Sequence, residues 1–154
     1  MRRTVVARAL IAIVVVALTL SANLLAGKNQ PAQTGNLAIS VEYTGKGTVD
    51  QDHRIWIWLF DNPDSSTWPD SSPLAVAMLT ENGASNKFTG LPKQVYFGTA
   101  YDEAGGYDGT TGPPPAGTPI MVYGMADGGT AKAVETGGDD AAVKATFDDS
   151  VRMP

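Results

Sequence analysis

The chain has 154 residues, of which 16 are acidic and 11 basic, and it contains one histidine and no cysteine. This composition excludes disulfides, thioether lipidation and zinc sites built from clustered Cys and His ligands. The net negative charge argues against nucleic acid or an anionic membrane surface as a partner.

The first 27 residues have the pattern of an export signal. Their only charges are three arginines, and the apolar run Leu10–Leu20 follows them. The uncharged stretch 9–27 is long enough to cross a bilayer if it is not removed. Because this region has no small-x-small cleavage site, a cleaved signal peptide and a retained anchor both stay open. Either interpretation predicts an exported protein, periplasmic, secreted or at the cell envelope, with membrane contact only through residues 9–27.

The rest of the chain is predicted to form one domain. Residues 28–154 contain eight basic and 16 acidic residues, which gives them a net charge of −8. The polar segment 28–36 is predicted to be a linker, and residues 37–154 are enough for one hydrophobic core. Since the chain has no disulfide, packing alone must hold that core together.

Short segments with strand patterns follow the linker. Residues 37–43 alternate between apolar and polar, which is typical of a strand with one buried face. The run RIWIWLF, 54–60, is apolar on both faces, as in a central strand that is covered on both sides. Five further strands are predicted, at 74–80, 87–92, 94–101, 119–125 and 141–147.

Seven short strands without an amphipathic helix between them predict an all-β fold. We expect a single antiparallel β-sandwich of the Greek-key, prealbumin or immunoglobulin type, behind an N-terminal apolar helix that is the signal peptide or anchor. Two long loops rich in turn residues, 61–73 and 100–118, are the predicted contact regions, because loops on a rigid scaffold commonly carry recognition.

The order of features also supports a resemblance. An apolar strand ends in FDNPD, and the segments PLAVAML, KFTGLPKQVYFGTAYDEAGGYDG, GTPIMVYG and AVKATFDD follow it. Over residues 37–149 this order resembles bacterial exported prealbumin-like domains, also called transthyretin-like or carboxypeptidase-regulatory-like. The resemblance implies an accessory module without catalytic residues. The acidic loop departs from the D-x-N-G-N-G form of that group, which leaves the ligand of the loop open.

The acidic loop AYDEAGGYDGTTGPPP is a candidate calcium site. Asp102, Glu103 and Asp108 carry the carboxylate oxygens that calcium prefers. The strict alternating motif fails, however, because its third and fifth positions are Ala104 and Gly106. The alternative interpretation is that Asp and Gly serve the turns of a strand connection. Calcium is the one cofactor that the sequence suggests.

The aromatic residues support a second hypothesis. Trp56 and Trp58 lie on one face of their predicted strand, and Trp68 follows in the next loop. Exposed aromatic rows bind sugar rings, although the same residues can equally be buried under a second layer. If they are exposed, the chain is a carbohydrate-binding module with Tyr101 and Tyr107 as further ligand contacts.

No catalytic set can be assembled from the residue pattern. His53 is the only histidine, and it lies in an acidic turn without a serine in a nucleophile-elbow context. We therefore predict a non-enzymatic module that binds a protein or another ligand through loops 61–73 and 100–118. A structural subunit that self-associates through sheet edges is a further alternative.

Overall fold

The structure, a computed structural model, describes residues 34–125, 129–139 and 141–154. The predicted signal or anchor, 1–27, lies outside the described residues, and so does most of the predicted linker, 28–36. Within the described ranges, no helix is long and apolar enough to span a bilayer.

The described residues form eight strands and one short 3-10 helix. The strands are β1 Gly35–Tyr43, β2 Ile55–Phe60, β3 Ala75–Leu79, β4 Ser85–Leu91, β5 Gln94–Tyr101, β6 Ile120–Val122, β7 Val134–Glu135 and β8 Ala142–Phe147. The 3-10 helix, Ser65–Asp70, lies in the loop between β2 and β3. All seven predicted strands are present, and the eighth, β7, has two residues, which is too short to give an alternating signal.

The strands form two sheets that pack as a sandwich. One sheet has the order β4-β1-β8, and the other has the order β3-β2-β5-β6 with β7 also beside β5. The prediction of a wholly antiparallel fold is wrong at one pair, because β1 and β8 run parallel, with Ala38 opposite Ala142. Local alternation cannot reveal this direction, since it depends on which strand becomes the neighbour.

The core between the sheets follows the sequence periodicity. The alternate residues of β1 that were predicted to be buried, from Leu37 to Tyr43, are all part of it. From β2, the aliphatic residues Ile55, Ile57 and Leu59 point into the core and are fully buried. The tryptophan face of β2 therefore lies on the outside of the five-stranded sheet.

One polar residue interrupts the inner face of β5. Val95, Phe97 and Tyr101 belong to the core, and Thr99 lies on the same face of the strand because alternate residues share a face. Thr99 is 2% exposed, and its hydroxyl has no hydrogen-bond partner among the described residues. A buried hydroxyl without a partner lowers stability, because its hydrogen bond to water is lost on folding.

We expect Thr99→Val to raise the free energy of unfolding by about 1 kcal/mol, because valine keeps the shape and removes the unpaired hydroxyl. Urea denaturation of both proteins measures the difference. The control Thr99→Ser keeps the hydroxyl and loses the methyl group, so it should be less stable than the wild type. A valine variant less stable than the wild type would mean that the hydroxyl is hydrogen-bonded.

Candidate functional site

The outer face of the five-stranded sheet carries a second apolar layer. Trp56, Trp58 and Phe60 of β2 lie on this face, and two of the three are buried. Because β2 is apolar on both sides, its outer side needs a cover to be kept from water. The two long loops, 61–73 and 100–118, provide this cover.

The loop after β2 places a tryptophan against the sheet. Its 3-10 helix begins after Asp64, whose carboxylate accepts a hydrogen bond from the backbone N–H two residues later. Trp68 is 8% exposed and stacks on Phe60, with ring centroids 4.3 Å apart. Its indole N–H donates to the carbonyl of Asn62 at 3.2 Å. The ring also lies over Gly98 of β5, where an added Cβ would be 3.1 Å from it.

The loop after β5 covers the other two indoles. Tyr107 lies 6.0 Å from Trp56 and 6.1 Å from Trp58 between ring centroids, and its hydroxyl donates to the carbonyl of Gly112 at 2.6 Å. The carbonyl of Gly109 accepts the indole N–H of Trp58 at 2.8 Å. Gly109 has a φ of 70°, and an added Cβ would be 2.1 Å from the ring of Trp56. The backbone of this loop therefore lies directly on the indoles.

Two of the three acidic residues of the predicted calcium site hold the loop in place. Asp102 is buried, and its carboxylate accepts the backbone N–H groups of Gly105 at 3.0 Å and Tyr107 at 2.9 Å. Glu103 pairs with Arg152 near the C-terminus at 2.8 Å. Their carboxylates thus fix the shape of the connection after β5.

The third acid, Asp108, closes a separate turn. One of its oxygens accepts the backbone N–H groups of Thr110 and Thr111, both at 2.9 Å. In the part of the chain that the structure describes, no three His, Cys, Asp or Glu side chains are grouped so that they could hold a metal ion. The three carboxylates do not converge, so calcium binding stays a prediction without a formed site. The alternative interpretation of the acids, as turn residues, matches these contacts.

The turn at Asp108 depends on pH, because its hydrogen bonds need an ionised carboxylate. The N–H of Thr110, followed by the hydroxyl and N–H of Thr111, lowers the pKa of Asp108 from 3.8 to about 2. A carboxyl whose pKa is lower in the folded than in the unfolded state stabilises the fold at pH values above its unfolded-state pKa. This stabilisation is lost as the pH falls through its folded-state pKa. Asp108 should therefore lose its stabilising effect between about pH 4 and about pH 2.

We expect the amides of Thr110 and Thr111 to shift in an NMR titration with a midpoint near pH 2, because protonation weakens both hydrogen bonds. In Asp108→Asn this titration should be absent, and the loop should lose its dependence on pH in that window. Asp61 is exposed and makes no side-chain hydrogen bond among the described residues, so Asp61→Asn is the matched control. A midpoint near pH 4 at Thr110 would contradict the turn geometry.

The two loops form the walls of an apolar cleft of about 270 Å³ on the outer sheet face. Its lining is made of aromatic rings, prolines and aliphatic side chains, with few hydroxyl groups. The principal members are Trp58, Phe60, Trp68, Pro69, Pro73, Pro113, Pro114, Val76, Ile120 and Val122, with Ser65, Ser71, Thr99 and Thr110 as the polar ones. The cleft thus lies between the two regions that the sequence predicts to make contacts.

The predicted ligand contacts are divided among three places. Trp58 and Trp68 line the cleft, whereas Trp56 is 6% exposed and lies under Tyr107 and the loop backbone. Tyr101 is in the core, stacked on Tyr43 at 4.2 Å. The three indoles therefore do not form an exposed row, because the loops that the sequence shows only as connections fold over them.

The prolines and the glycine of the cleft were missed by sequence reasoning. Pro113, Pro114 and Gly109 have the composition of a turn, and nothing local shows that the prolines line a cleft or that Gly109 lies on an aromatic ring. A signal for the cover was nevertheless present, since β2 is apolar on both faces while one sheet can cover only one of them.

The single histidine lies outside the cleft. His53 is in the turn before β2, where its Nδ1 is 3.1 Å from the Asp50 carboxylate. The same carboxylate accepts the backbone N–H groups of His53 and Asp52, which lowers the pKa of Asp50. Among the described residues no hydroxyl is hydrogen-bonded to the imidazole, so these contacts fix a turn.

The fold and the cleft define a β-sandwich with one outer sheet face covered by loops. No family model matches the chain, and no curated protein matches it. It is similar to the solved structure of the pilus-presented adhesin Spy0125 (Cpa), with 18% identity over 78% of this chain and 27% of that one, at a TM-score of 0.31.

Two structures of substituted forms of the shaft pilin SpaA from Lactobacillus rhamnosus GG are also similar. Each shares 13% identity over 75% of this chain at a TM-score of 0.29, and the matched parts are 50% and 49% of those chains. This chain spans half or less of the length of the structures it resembles. Likeness at this level carries no argument about function.

Proposed function

We propose that the chain is a non-catalytic, exported binding module, and that the cleft between loops 61–73 and 100–118 holds its ligand. The observation that carries this proposal is the convergence of both long loops on one sheet face around an apolar cleft. Concave, mainly apolar sites with a few polar groups are typical of ligand binding. The few hydroxyl groups at the cleft suit such a site.

Contacts within the chain itself shape the cleft. Trp68 stacks on Phe60, and the indole N–H of Trp58 is bonded to the loop at Gly109. The carboxylates of Asp102 and Asp108 hold the loop after β5 through four backbone hydrogen bonds. A ligand therefore does not have to order these segments, which reduces the entropy cost of binding.

The sequence supports the remaining parts of the proposal. The pattern of residues 1–27 supports export, and the resemblance to prealbumin-like accessory domains supports a role without catalysis. A sugar-binding platform of three indoles has little support, because Trp56 and Trp68 are buried and Trp58 alone is half-buried.

The test uses indole as a neutral aromatic probe with the full-length chain. We expect indole to shift the side-chain N–H signals of Trp58 and Trp68 saturably in NMR spectra. Val76 of β3 lines the cleft beside these rings, so Val76→Phe should fill part of it and weaken indole binding at least about tenfold.

Met78→Phe is the matched control. Met78 lies two residues further along β3 on the same face, is 49% exposed and is not part of the cleft lining. Its substitution should leave indole binding unchanged. An absence of saturable shifts in the wild type, or equal binding by the two phenylalanine variants, would contradict the proposal.

A further inference from the structure

The rim of the cleft is negative. Loops 61–73 and 100–118 together contain six acidic residues and no lysine or arginine. Two of the six have partners within the protein, since the buried Asp102 accepts backbone hydrogen bonds and the exposed Glu103 pairs with Arg152. The other four are exposed and make no ion pair in the described residues: Asp61, Asp64, Asp70 and Asp108.

These exposed carboxylates belong to both walls of the cleft. Asp64 precedes the lining residue Ser65, and Asp70 lies between Pro69 and Ser71, which both line the cleft. On the other wall, Asp108 is bonded to the backbone of Thr110, another lining residue. An apolar interior is thus flanked by negative charge on two sides.

Two basic groups lie close to the lining. Lys132 is exposed, and its backbone N–H is bonded to Tyr123, next to the lining residue Val122. The other, Arg152, is already neutralised. Arg152 precedes the lining residue Met153, and its guanidinium pairs with Glu103 at 2.8 Å and with Asp149 at 3.5 Å. These pairs raise the pKa of Arg152 and compensate its charge. The four exposed aspartates outnumber Lys132, which makes no ion pair among the described residues, so the net charge around the cleft is negative.

The size of the cleft limits what enters it. A volume of about 270 Å³ is below the range of roughly 300–1,000 Å³ that is usual for pockets holding a whole drug-sized ligand. It suits one or two apolar side chains, while the rest of a larger ligand lies across the charged rim. Aromatic-lined grooves bind extended, proline-rich peptide segments, and aromatic faces also attract cations.

We infer that the ligand is an extended, basic segment of a partner protein. This inference rests on the proposed function of the cleft. An apolar residue of the segment is seated between Trp58 and Trp68, and lysine or arginine side chains on either side of it face the aspartates at the rim. Charge complementarity of this kind speeds association and selects the partner.

The test compares three synthetic peptides by calorimetry with the full-length chain. The first is Lys-Lys-Pro-Leu-Pro-Lys-Lys, and the other two have Gln or Glu in place of every Lys. We expect the lysine peptide to bind at least about tenfold more tightly than the glutamine peptide, and the glutamate peptide to bind weakest. Binding of the lysine peptide should weaken as salt is added, because ions screen exposed charges.

Charge-reversal variants locate the binding to the rim. The side chain of Asp70 makes no hydrogen bond among the described residues, so Asp70→Lys should leave the fold intact and weaken the lysine peptide roughly three- to tenfold. Glu81→Lys, at an exposed turn after β3, makes the same charge change away from the cleft and should have little effect. Val76→Phe should also weaken the lysine peptide.

The outcomes separate the two proposals. Equal binding of all three peptides, or binding of indole but of no peptide, would overturn the inference and leave the proposed function standing. Lysine-peptide binding that is unchanged in Asp70→Lys or Val76→Phe would place the contact elsewhere and would also overturn it. If sedimentation shows that the chain self-associates, and the side-chain N–H signals of Trp58 and Trp68 are lost as it does so, the occupant of the cleft is a second copy of the chain, which would also overturn the inference. Failure of both indole and peptides would overturn both proposals.

Discussion

Gly109→Ala is expected to lower the free energy of unfolding by about 3 kcal/mol. Part of this loss comes from the φ of 70°, which costs alanine about 1–2 kcal/mol. The rest comes from the new Cβ, which would be 2.1 Å from the ring of Trp56, so that either the loop or the indole must move. Urea denaturation measures the change in stability.

The loop should also come away from the sheet in this variant. The hydrogen bond from the indole N–H of Trp58 to the Gly109 carbonyl would break, so the NMR signal of that N–H should move and exchange faster with solvent. Because the cleft wall is part of the same loop, indole binding should weaken as well.

Gly106→Ala is the matched control for Gly109→Ala. Gly106 lies in the same loop with a φ of 88°, and an added Cβ there would meet no atom within 4 Å. It should therefore show only the backbone cost, about 1–2 kcal/mol, with the Trp58 signal in place. If the two alanine variants are equally stable, the contact between the loop and Trp56 contributes nothing.

Trp68→Ala is expected to cost about 3–5 kcal/mol, as large-to-small substitutions of buried aromatic residues do. The substitution removes the ring stacked on Phe60 and the contact with Gly98. It also widens the cleft by removing one wall, so indole should no longer bind saturably. Thermal and urea unfolding measure the stability, and NMR titration measures the binding.

Trp68→Phe separates the stacking from the hydrogen bond. Phenylalanine can still stack on Phe60 but cannot donate to the carbonyl of Asn62, so we expect a smaller loss, about 1–2 kcal/mol. An alanine variant within about 0.5 kcal/mol of the wild type would show that the 3-10 helix is not packed on the sheet in solution.

The strands and their buried faces were predictable from local pattern. Alternation identified the inner face of β1, and the doubly apolar run identified β2 as a central strand that is covered on both sides. These features follow from the period of two along a strand, which is a local property. Strand β7 and the parallel pair β1–β8 were not predictable in this way, since they depend on pairing between distant segments.

The candidate site was predictable only in part. The sequence indicated the two loops and the tryptophans, but it left open whether the indoles are exposed, and it placed Tyr101 among the ligand contacts although it stacks in the core. The residues that decide the site are Gly109, whose missing side chain lets the loop reach Trp56, and the pair Pro113 and Pro114. The indole of Trp58 that is bonded to Gly109 is 51 residues away along the chain.

The sequence by itself determined the all-β class, the inner face of β1 and the acidic residues of the two long loops, because composition and alternation are local properties. Only the tertiary structure decided that the acidic loops fold over the outer sheet face, bury Trp56 and Trp68, and leave a cleft beside Trp58. The physical reason is that β2 has two apolar faces. Which distant segment covers the second face depends on shape complementarity across the fold, and local pattern does not encode that.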